Sequence, residues 1–196
     1  MRCSILFRFG LALLLLVVLP GCPPRLQLVF DQGQLGFRGF VSDFGGDVVG
    51  PFQQIADDFE LTEGLNSLKR IEWWGFRTGA APASSDFTIR IFEDDGTGKP
   101  SASLLYGIPI GVGNRESTGL TAVGTFGSYL IYHYWAEFGE ITLPPRTRYH
   151  LSIVNDTGDW SWLRRDDGAA AECHSRVGDS GAWEPAATDM AFQLWR

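Results

Sequence analysis

Lysine is nearly absent from this chain, which has only Lys69 and Lys99. The 196 residues carry 16 Lys and Arg against 23 Asp and Glu, a formal net charge of −7 at pH 7. Proteins bind nucleic acid largely through Lys and Arg side chains that displace counterions from the phosphates. Because the sequence contains no basic patch either, we expect no nucleic acid partner.

Cysteine is also scarce, at three residues: Cys3, Cys22 and Cys173. Cys3 lies inside an N-terminal leader and Cys22 directly follows it, which leaves Cys173 as the thiol of the folded part. One thiol forms no internal disulfide, and the cysteine spacing does not predict a zinc site. No histidine is placed in the sequence to activate Cys173, so we expect this residue to be buried and inert.

The sequence lacks the periodicity of amphipathic helices. No window of a dozen residues has apolar positions at i, i+3, i+4 and i+7, and the 24 glycines and 10 prolines interrupt the chain too often for long helices. No repeat of 20 to 50 residues is present either. An α/β fold needs helical crossovers between parallel strands, so this pattern disfavours that class.

Motifs of catalysis are missing as well. The three histidines, His133, His150 and His174, lack metal-ligand spacing, and the sequence has neither a Gly-x-Ser-x-Gly elbow nor a phosphate-binding glycine loop. His133 and His150 fall in predicted strands, where a hydrogen-bonded structural role is usual. A pair of carboxylates could make a glycosidase, but no pair stands out among the 23 acidic residues. We therefore predict that the protein is not an enzyme and needs no cofactor.

The N-terminus carries an export signal. Arg2 and Arg8 flank a basic start, an uncharged apolar run covers 11–19, and Leu-Pro-Gly-Cys follows at 19–22. This ending resembles the lipobox of bacterial lipoproteins, in which a small residue precedes a cysteine that is acylated; Pro20 departs from the usual pattern. The resemblance implies a lipid on Cys22 that holds the protein on a bacterial membrane, on the periplasmic or cell-surface side. The alternative is an ordinary signal peptide with an incidental cysteine.

Beyond the leader the sequence alternates short strands and turns. In the strand predicted at 87–93, Phe87, Ile89 and Ile91 alternate with Thr88 and Arg90, which is typical of a half-buried antiparallel strand. Further strands are predicted at 26–30, 55–61, 68–77, 104–112, 129–143, 148–154, 160–163 and 190–195, with the clearest turns at 93–100, 143–147 and 155–158. We predict an all-β fold, an antiparallel two-sheet β-sandwich that is jelly-roll-like.

The predicted domain organisation has three parts. Residues 1–21 are the signal peptide, 22–50 a lipid-anchored tether with a Gly-rich segment, and 51–196 the β-sandwich domain. The scattered phenylalanines of the Gly-rich segment predict that it packs on the domain. Cleavage before Cys22 would remove Arg2 and Arg8 but no acidic residue, which takes the formal net charge from −7 to −9.

Several phrases resemble a known group of domains. ADDF at 56–59 and DMAFQLW at 189–195 are the most specific, together with WWGF at 73–76 and LPPRTRYHLSIVND at 143–156. They are similar to the extracytoplasmic β-sandwich domains of secreted and surface-anchored bacterial proteins, which often carry a PEP-CTERM-type sorting tail. The resemblance covers about 50–196. It implies a jelly-roll-like sandwich of uncharacterised function, with the N-terminal lipid as the anchor in place of a sorting tail.

Tryptophan is abundant, at seven residues. Trp73 and Trp74 are adjacent, so in a strand one side chain faces the core and the other faces outward. Exposed aromatic rings stack on the apolar faces of sugars, while neighbouring polar groups bind the hydroxyls. The candidate platform residues are Trp74, Trp160, Trp162 and Trp183. The alternative for each ring is packing in the core.

Acidic residues form the other candidate site. Strict alternation places Asp57 on the inner face of its strand, where a buried charge requires a partner. One hypothesis is a structural calcium site with ligands from Asp57, Asp94, Asp95 and Asp189. The alternatives are a β-bulge or an arginine partner at Asp57, and a solvated hairpin turn at 93–98.

Taken together, these patterns favour a non-catalytic binding module of the bacterial cell envelope. Carbohydrate is the first expected ligand class. The alternative is a structural or assembly role in which sheet edges or an acidic face contact other envelope proteins. A glycan-acting hydrolase is a third hypothesis.

Overall fold

The computed structural model describes residues 25–33, 35–42, 52–78, 86–124, 127–165 and 173–196. Within these ranges the chain forms thirteen strands and no helix. In chain order the strands are β1 (Leu28–Asp31), β2 (Leu35–Val41), β3 (Gln53–Glu60), β4 (Ser67–Arg77), β5 (Phe87–Asp94), β6 (Pro100–Gly111), β7 (Asn114–Gly124), β8 (Gly127–Thr142), β9 (Arg148–Asn155), β10 (Trp160–Arg165), β11 (Cys173–Val177), β12 (Glu184–Ala186) and β13 (Phe192–Trp195).

Seven strands form one antiparallel sheet around β4. Strand β8 pairs along one edge of β4, and β7 pairs with β8 in turn. On the other side β4 has two partners in succession, β13 beside its first half and β10 beside its last residues. Strand β1 pairs with β13, and β2 pairs with β10. The long hairpin of β7 and β8 therefore lies next to the centre of the sheet.

The other six strands form a second antiparallel sheet in the order β12-β11-β3-β9-β5-β6. Three of the inner strands, β3, β9 and β5, consist largely of buried residues. Every second residue of these strands points into the core, for example Ile89 and Ile91 on β5 and Leu151 and Ile153 on β9. This is the period-two pattern expected of strands that pack by one face against a second sheet.

The main core fills the space between the two sheets. Large side chains from the seven-stranded sheet, including Trp73, Trp160 and Phe192, meet those of the six-stranded sheet. Aromatic rings pack edge to face here: the Phe87 ring lies 5.2 Å from Trp73 and 5.2 Å from Trp160 between ring centroids. Edge-to-face contacts between aromatic rings stabilise such a core beyond simple burial of area.

A second, smaller core lies on the opposite face of the seven-stranded sheet. Phe76, Ile131 and Leu163 form it with Ala122 of β7, and Leu35 of β2 packs against it. Strands β2 and β7 are at opposite edges of this sheet, yet they contact each other. The sheet therefore curls around this second core, which shapes the outer surface next to it.

The predicted antiparallel two-sheet sandwich is confirmed. Strands β1 and β2 belong to the seven-stranded sheet, so the sandwich extends N-terminal to residue 51, into the stretch that the sequence predicted as tether and Gly-rich segment. The predicted signal peptide at 1–21 and the lipidation residue Cys22 lie outside the described residues. Among the residues that are described, no helix has the length and apolar character needed to span a bilayer.

Candidate functional site

Three rows of side chains lie on the outer face of the seven-stranded sheet, the face turned away from the six-stranded sheet. Residues directly opposite each other in antiparallel strands project to the same side. The rows are Trp195, Arg70 and Glu137; then Gln193, Glu72, Trp135 and Asn114; then Trp74, His133 and Glu116. We call these ten residues the outer-face array.

The alternation of β4 explains how the array arises. Ile71 and Trp73 point into the main core, and Trp73 is fully buried. The residues between them, Arg70, Glu72 and Trp74, therefore face outward. Together with its neighbours, β4 thus places a charged and aromatic surface at the middle of the sheet.

His133 lies at the centre of the array, between two carboxylates. Its Nε2 is 2.8 Å from Glu72 Oε2, and its Nδ1 is 3.2 Å from Glu116 Oε1. Both ring nitrogens are thus in hydrogen-bond contact, and the ring is fixed in orientation. The prediction of a hydrogen-bonded histidine in a strand is confirmed for His133.

Two tryptophans flank His133. The Trp74 ring stacks on it, with centroids 4.8 Å apart and an interplanar angle of 14°. The Trp135 ring lies on another side of the imidazole, with its centroid 5.4 Å from that of His133 and an interplanar angle of 36°. The Arg70 guanidinium lies over Trp135, 5.7 Å from the ring centroid, in a cation–π contact. Aromatic and charged groups therefore alternate across the face.

The electrostatics of the array are acidic. Arg70 is bound at 2.9 Å by Glu72 and at 3.6 Å by Glu137. Glu72 is largely buried, whereas the side chains of Glu116 and Glu137 are 66% and 67% exposed. One arginine against three glutamates gives a formal net charge of −2, or −1 when His133 carries a proton on both nitrogens, as hydrogen bonds to two ionised carboxylates require. Two of the carboxylates are thus available to solvent or to a ligand.

The array offers both apolar and polar groups to a ligand. Half-buried indole rings offer apolar surface, and the carboxylates and the Asn114 amide offer hydrogen-bonding groups beside them. A glycosidase needs its substrate between two carboxyl groups. Here the imidazole of His133 occupies the space between Glu72 and Glu116.

The other predicted platform tryptophans are not on this face. Trp160 and Trp162 are fully buried in the main core, because both project from the face of β10 that meets the six-stranded sheet. The Trp162 indole N–H donates to the Ala191 carbonyl at 3.0 Å. These two rings cannot meet a sugar in this structure, so of the four candidates Trp74 is the one that belongs to the array.

Trp183 borders a separate cavity outside the six-stranded sheet. Its ring is 6% exposed and packs edge to face on Phe92, with Arg176 stacked 4.3 Å from its centroid. The cavity has a volume of about 510 Å³ and is also lined by Asp95 and Lys99. One predicted platform residue and one predicted calcium ligand therefore line the same cavity.

Asp57 faces the inside of the sandwich, as alternation predicts. Within β3 the register against β9 and β11 runs without a shift, so the alternative of a β-bulge does not hold. Instead of an arginine, its Oδ2 accepts hydrogen bonds from the Met190 N–H at 2.6 Å and from the Gln32 amide at 3.2 Å. Burial, together with the nearby charge of Asp189, raises the pKa of Asp57 well above its ordinary value.

The four candidate calcium ligands fall into two separate pairs, Asp57 with Asp189 and Asp94 with Asp95. Asp94 and Asp95 lie at the turn between β5 and β6 and accept hydrogen bonds from its backbone. Bonds from the Thr97 hydroxyl and amide lower the pKa of Asp95. In the described part of the chain, no three His, Cys, Asp or Glu side chains group in a way that could hold a metal ion.

Cys173 is fully buried in the main core, in agreement with the prediction. Burial raises the pKa of its thiol, and the nearby carboxylates of Asp57 and Asp189 raise it further. A thiol in this state is a poor nucleophile.

Most residues of the array were not predicted from the sequence as site residues. His133 and Trp135 fall in the strand predicted at 129–143, but the sequence did not show which strands lie beside it. The array joins β13, β4, β8 and β7, and it depends on pairings between residues far apart in the chain. The detectable signal was the adjacent pair Trp73 and Trp74.

Comparison with known proteins assigns this chain to no group. No known protein family and no curated protein sequence matches it. Functional inference therefore rests on the geometry of the site.

Proposed function

We propose that this protein is a non-catalytic carbohydrate-binding module of the bacterial envelope, held on the membrane by a lipid on Cys22. The observation that supports the binding function is the outer-face array. It combines half-buried indole rings with fixed polar groups on a solvent-facing sheet.

The chemistry of sugars fits such a surface. A pyranose ring has an apolar face that packs on an aromatic ring and a rim of hydroxyls that need hydrogen bonds. Trp74 and Trp135 supply the aromatic surface, and Glu116, Glu137 and Asn114 supply acceptors and donors around it. The array is open and lies along the sheet, a shape suited to a chain of sugars rather than to a small enclosed ligand.

The proposal of a non-catalytic role rests on the contacts that the carboxylates of the array already make with other side chains. Glu72 is bound to both Arg70 and His133, and Glu116 contacts the same imidazole. These groups stabilise one another across the strands. A general acid and base would need to face a substrate instead.

Retention on polysaccharides tests the function. We expect the chain without residues 1–22 to bind at least one glycan of a broad array, and Trp74→Ala or Trp135→Ala to weaken that affinity about tenfold. Trp135→Ala is the cleaner test, because Trp74 also packs against the second core and its truncation should lower the melting temperature as well. Phe37→Ala is the matched control, since this exposed aromatic lies on β2 outside the array.

If no glycan is retained, or if Phe37→Ala weakens binding as much as Trp74→Ala does, the carbohydrate proposal is wrong. Melting curves of all variants ensure that lost retention is not lost folding.

An assembly role is the second candidate, and the edge strand β6 favours it. Among the described strands, β6 pairs only with β5, so the opposite edge of this twelve-residue strand has no strand beside it. Leu104 and Leu105 are exposed on it. An exposed, apolar edge is a site where another chain can add a strand. Glycan arrays without a hit, together with self-association abolished by Leu104→Lys, would support this role instead.

A further inference from the structure

The charge of the outer-face array narrows the class of glycan that it accepts. The array contains three glutamates and one arginine, and the arginine is already bound by two of those glutamates. A polyuronate or a sulfated glycan would bring negative charge next to Glu116 and Glu137, which is unfavourable.

The array already binds one cation in the way that a ligand cation would be bound. The Arg70 guanidinium lies over the Trp135 ring and is held at its edges by Glu72 and Glu137. An aromatic face with carboxylates beside it is the usual environment for ammonium groups in proteins. Trp74 and Glu116 form the same combination of indole and carboxylate around His133, whose imidazole stacks on Trp74 and lies 3.2 Å from Glu116, and the Glu116 side chain remains 66% exposed beside it.

An acidic residue of β1 lies next to the array, in line with its middle row. Asp31 of β1 is paired with Gln193, and Gln193 is paired with Glu72. An exposed carboxylate therefore continues the middle row at the edge of the sheet.

We infer that the ligand of the outer-face array is a glycan with free amino groups, such as a polymer of deacetylated hexosamine. This inference rests on the proposed carbohydrate-binding function and goes further by naming the sugar class. The sugar rings would pack on the tryptophans, and their ammonium groups would pair with Glu116 and Glu137.

Three hexamers of matched length test the inference: β-1,4-linked glucosamine, its N-acetylated counterpart and a uronic acid oligomer. Titration calorimetry uses the full chain in a non-ionic detergent without sugar groups, at mildly acidic pH and physiological salt. Under these conditions the amines are protonated and distant charges are screened. We expect the glucosamine hexamer to bind about fivefold more tightly than the acetylated one, and the uronic acid hexamer to bind most weakly.

Two glutamine variants separate the array from the overall charge of the protein. Glu137→Gln should weaken the binding of the glucosamine hexamer about two- to fivefold more than that of the acetylated hexamer, because only the glucosamine hexamer brings an ammonium group to this carboxylate. Glu63→Gln removes one charge from a side chain that is 73% exposed and pairs with Arg146 outside the array. It should change neither affinity.

The outcomes distinguish the inference from the function on which it rests. Equal affinity for the two hexosamine hexamers would overturn the amino-sugar inference and leave carbohydrate binding intact. An equal effect of Glu63→Gln and Glu137→Gln would also overturn it, because attraction would then come from overall charge. Binding of none of the three hexamers, together with no hit on the glycan array, would overturn the carbohydrate function itself.

Discussion

Asp57 is fully buried, and burial is the first cause of its raised pKa. A carboxyl group of this kind keeps its proton in the folded state at pH values where the unfolded chain has released it. Its contribution to the free energy of unfolding is therefore largest at acid pH, and it is lost as pH rises from about 4 through the folded-state pKa. We predict that Asp57→Asn, which stays neutral, raises the melting temperature at neutral pH and changes it little at about pH 4.

Thermal unfolding followed by circular dichroism at the two pH values measures this difference. Asp58→Asn is the control, because the neighbouring side chain points to the other face and is 36% exposed. An Asp57→Asn variant that is destabilised equally at both pH values would show that the bonds from Met190 and Gln32 require the carboxyl group itself.

His150 should produce the opposite pH dependence. It is fully buried on β9, with Nε2 3.2 Å from Asp94 Oδ2. Burial lowers its pKa, although Asp94 acts to raise it. The unfolded chain therefore takes up the proton at a higher pH than the folded chain does, and the free energy of unfolding decreases as pH falls through about 6.5.

We predict that His150→Gln reduces this loss of stability between about pH 7 and pH 5. Urea unfolding at several pH values gives the slope directly. An unchanged slope in the variant would mean that another group causes the acid sensitivity.

Single residues also show what sequence alone determines and what it leaves open. Alternation predicted that Trp73 and Trp74 face opposite ways and that Asp57 faces inward, and the structure confirms both. Alternation places Trp160 and Trp162 on the same face of their strand, because they are two residues apart. It could not decide whether that face points into the core or outward. That choice depends on which side of β10 meets the other sheet, a tertiary property.

Among the elements, the strands with clear apolar alternation were predicted and those without it were missed. Strands β3, β4, β5 and β9 lie within about two residues of their predicted bounds. Strands β11 and β12, of five and three residues, were not predicted, and neither were β2 and β7, which are interrupted by glycine and carry few alternating apolar residues. The extended conformation of β2 and β7 comes from pairing with β10 and β8, and a pairing between distant segments leaves little trace in a local pattern.

The outer-face array depends on the same pairings. A shift of one residue between β4 and β8 would move His133 away from Trp74 and toward the core face. The register that prevents this is set by packing on both sides of the sheet. For this reason the sequence predicted Trp74 as a candidate but not its neighbours.

The junction of β4 and β10 has a strict steric requirement at Gly75. A Cβ atom there would lie 2.6 Å from the Ser161 carbonyl oxygen and equally close to the Trp160 ring. Since the backbone and a fully buried ring cannot both move, we predict that Gly75→Ala reduces the free energy of unfolding by about 3 kcal/mol.

Gly139→Ala is the matched control for this prediction. It lies in β8, and a Cβ atom there would meet nothing within 4 Å. Urea unfolding of both variants measures the contrast. Equal stability of the two would show that β4 and β10 separate easily at this point.

At the scale of the whole molecule, charge determines how the protein relates to a membrane. Removal of the predicted leader takes the formal net charge from −7 to −9, and the folded part exposes acidic groups on the outer-face array. Bacterial membranes contain anionic lipids, which attract basic protein segments and repel acidic ones. The sandwich itself is therefore expected to have little affinity for the bilayer.

Membrane attachment is then expected from the proposed lipid on Cys22, where several acyl chains would each contribute about 0.8 kcal/mol per buried CH₂ group. We predict that Cys22→Ser moves the protein from the membrane fraction to the soluble fraction and abolishes its labelling by radioactive palmitate. Cys3→Ser is the control, because that residue lies within the predicted leader and its substitution should leave both properties unchanged. If Cys22→Ser stays on the membrane without label, then a contact of the sandwich, and not a lipid, holds the protein there.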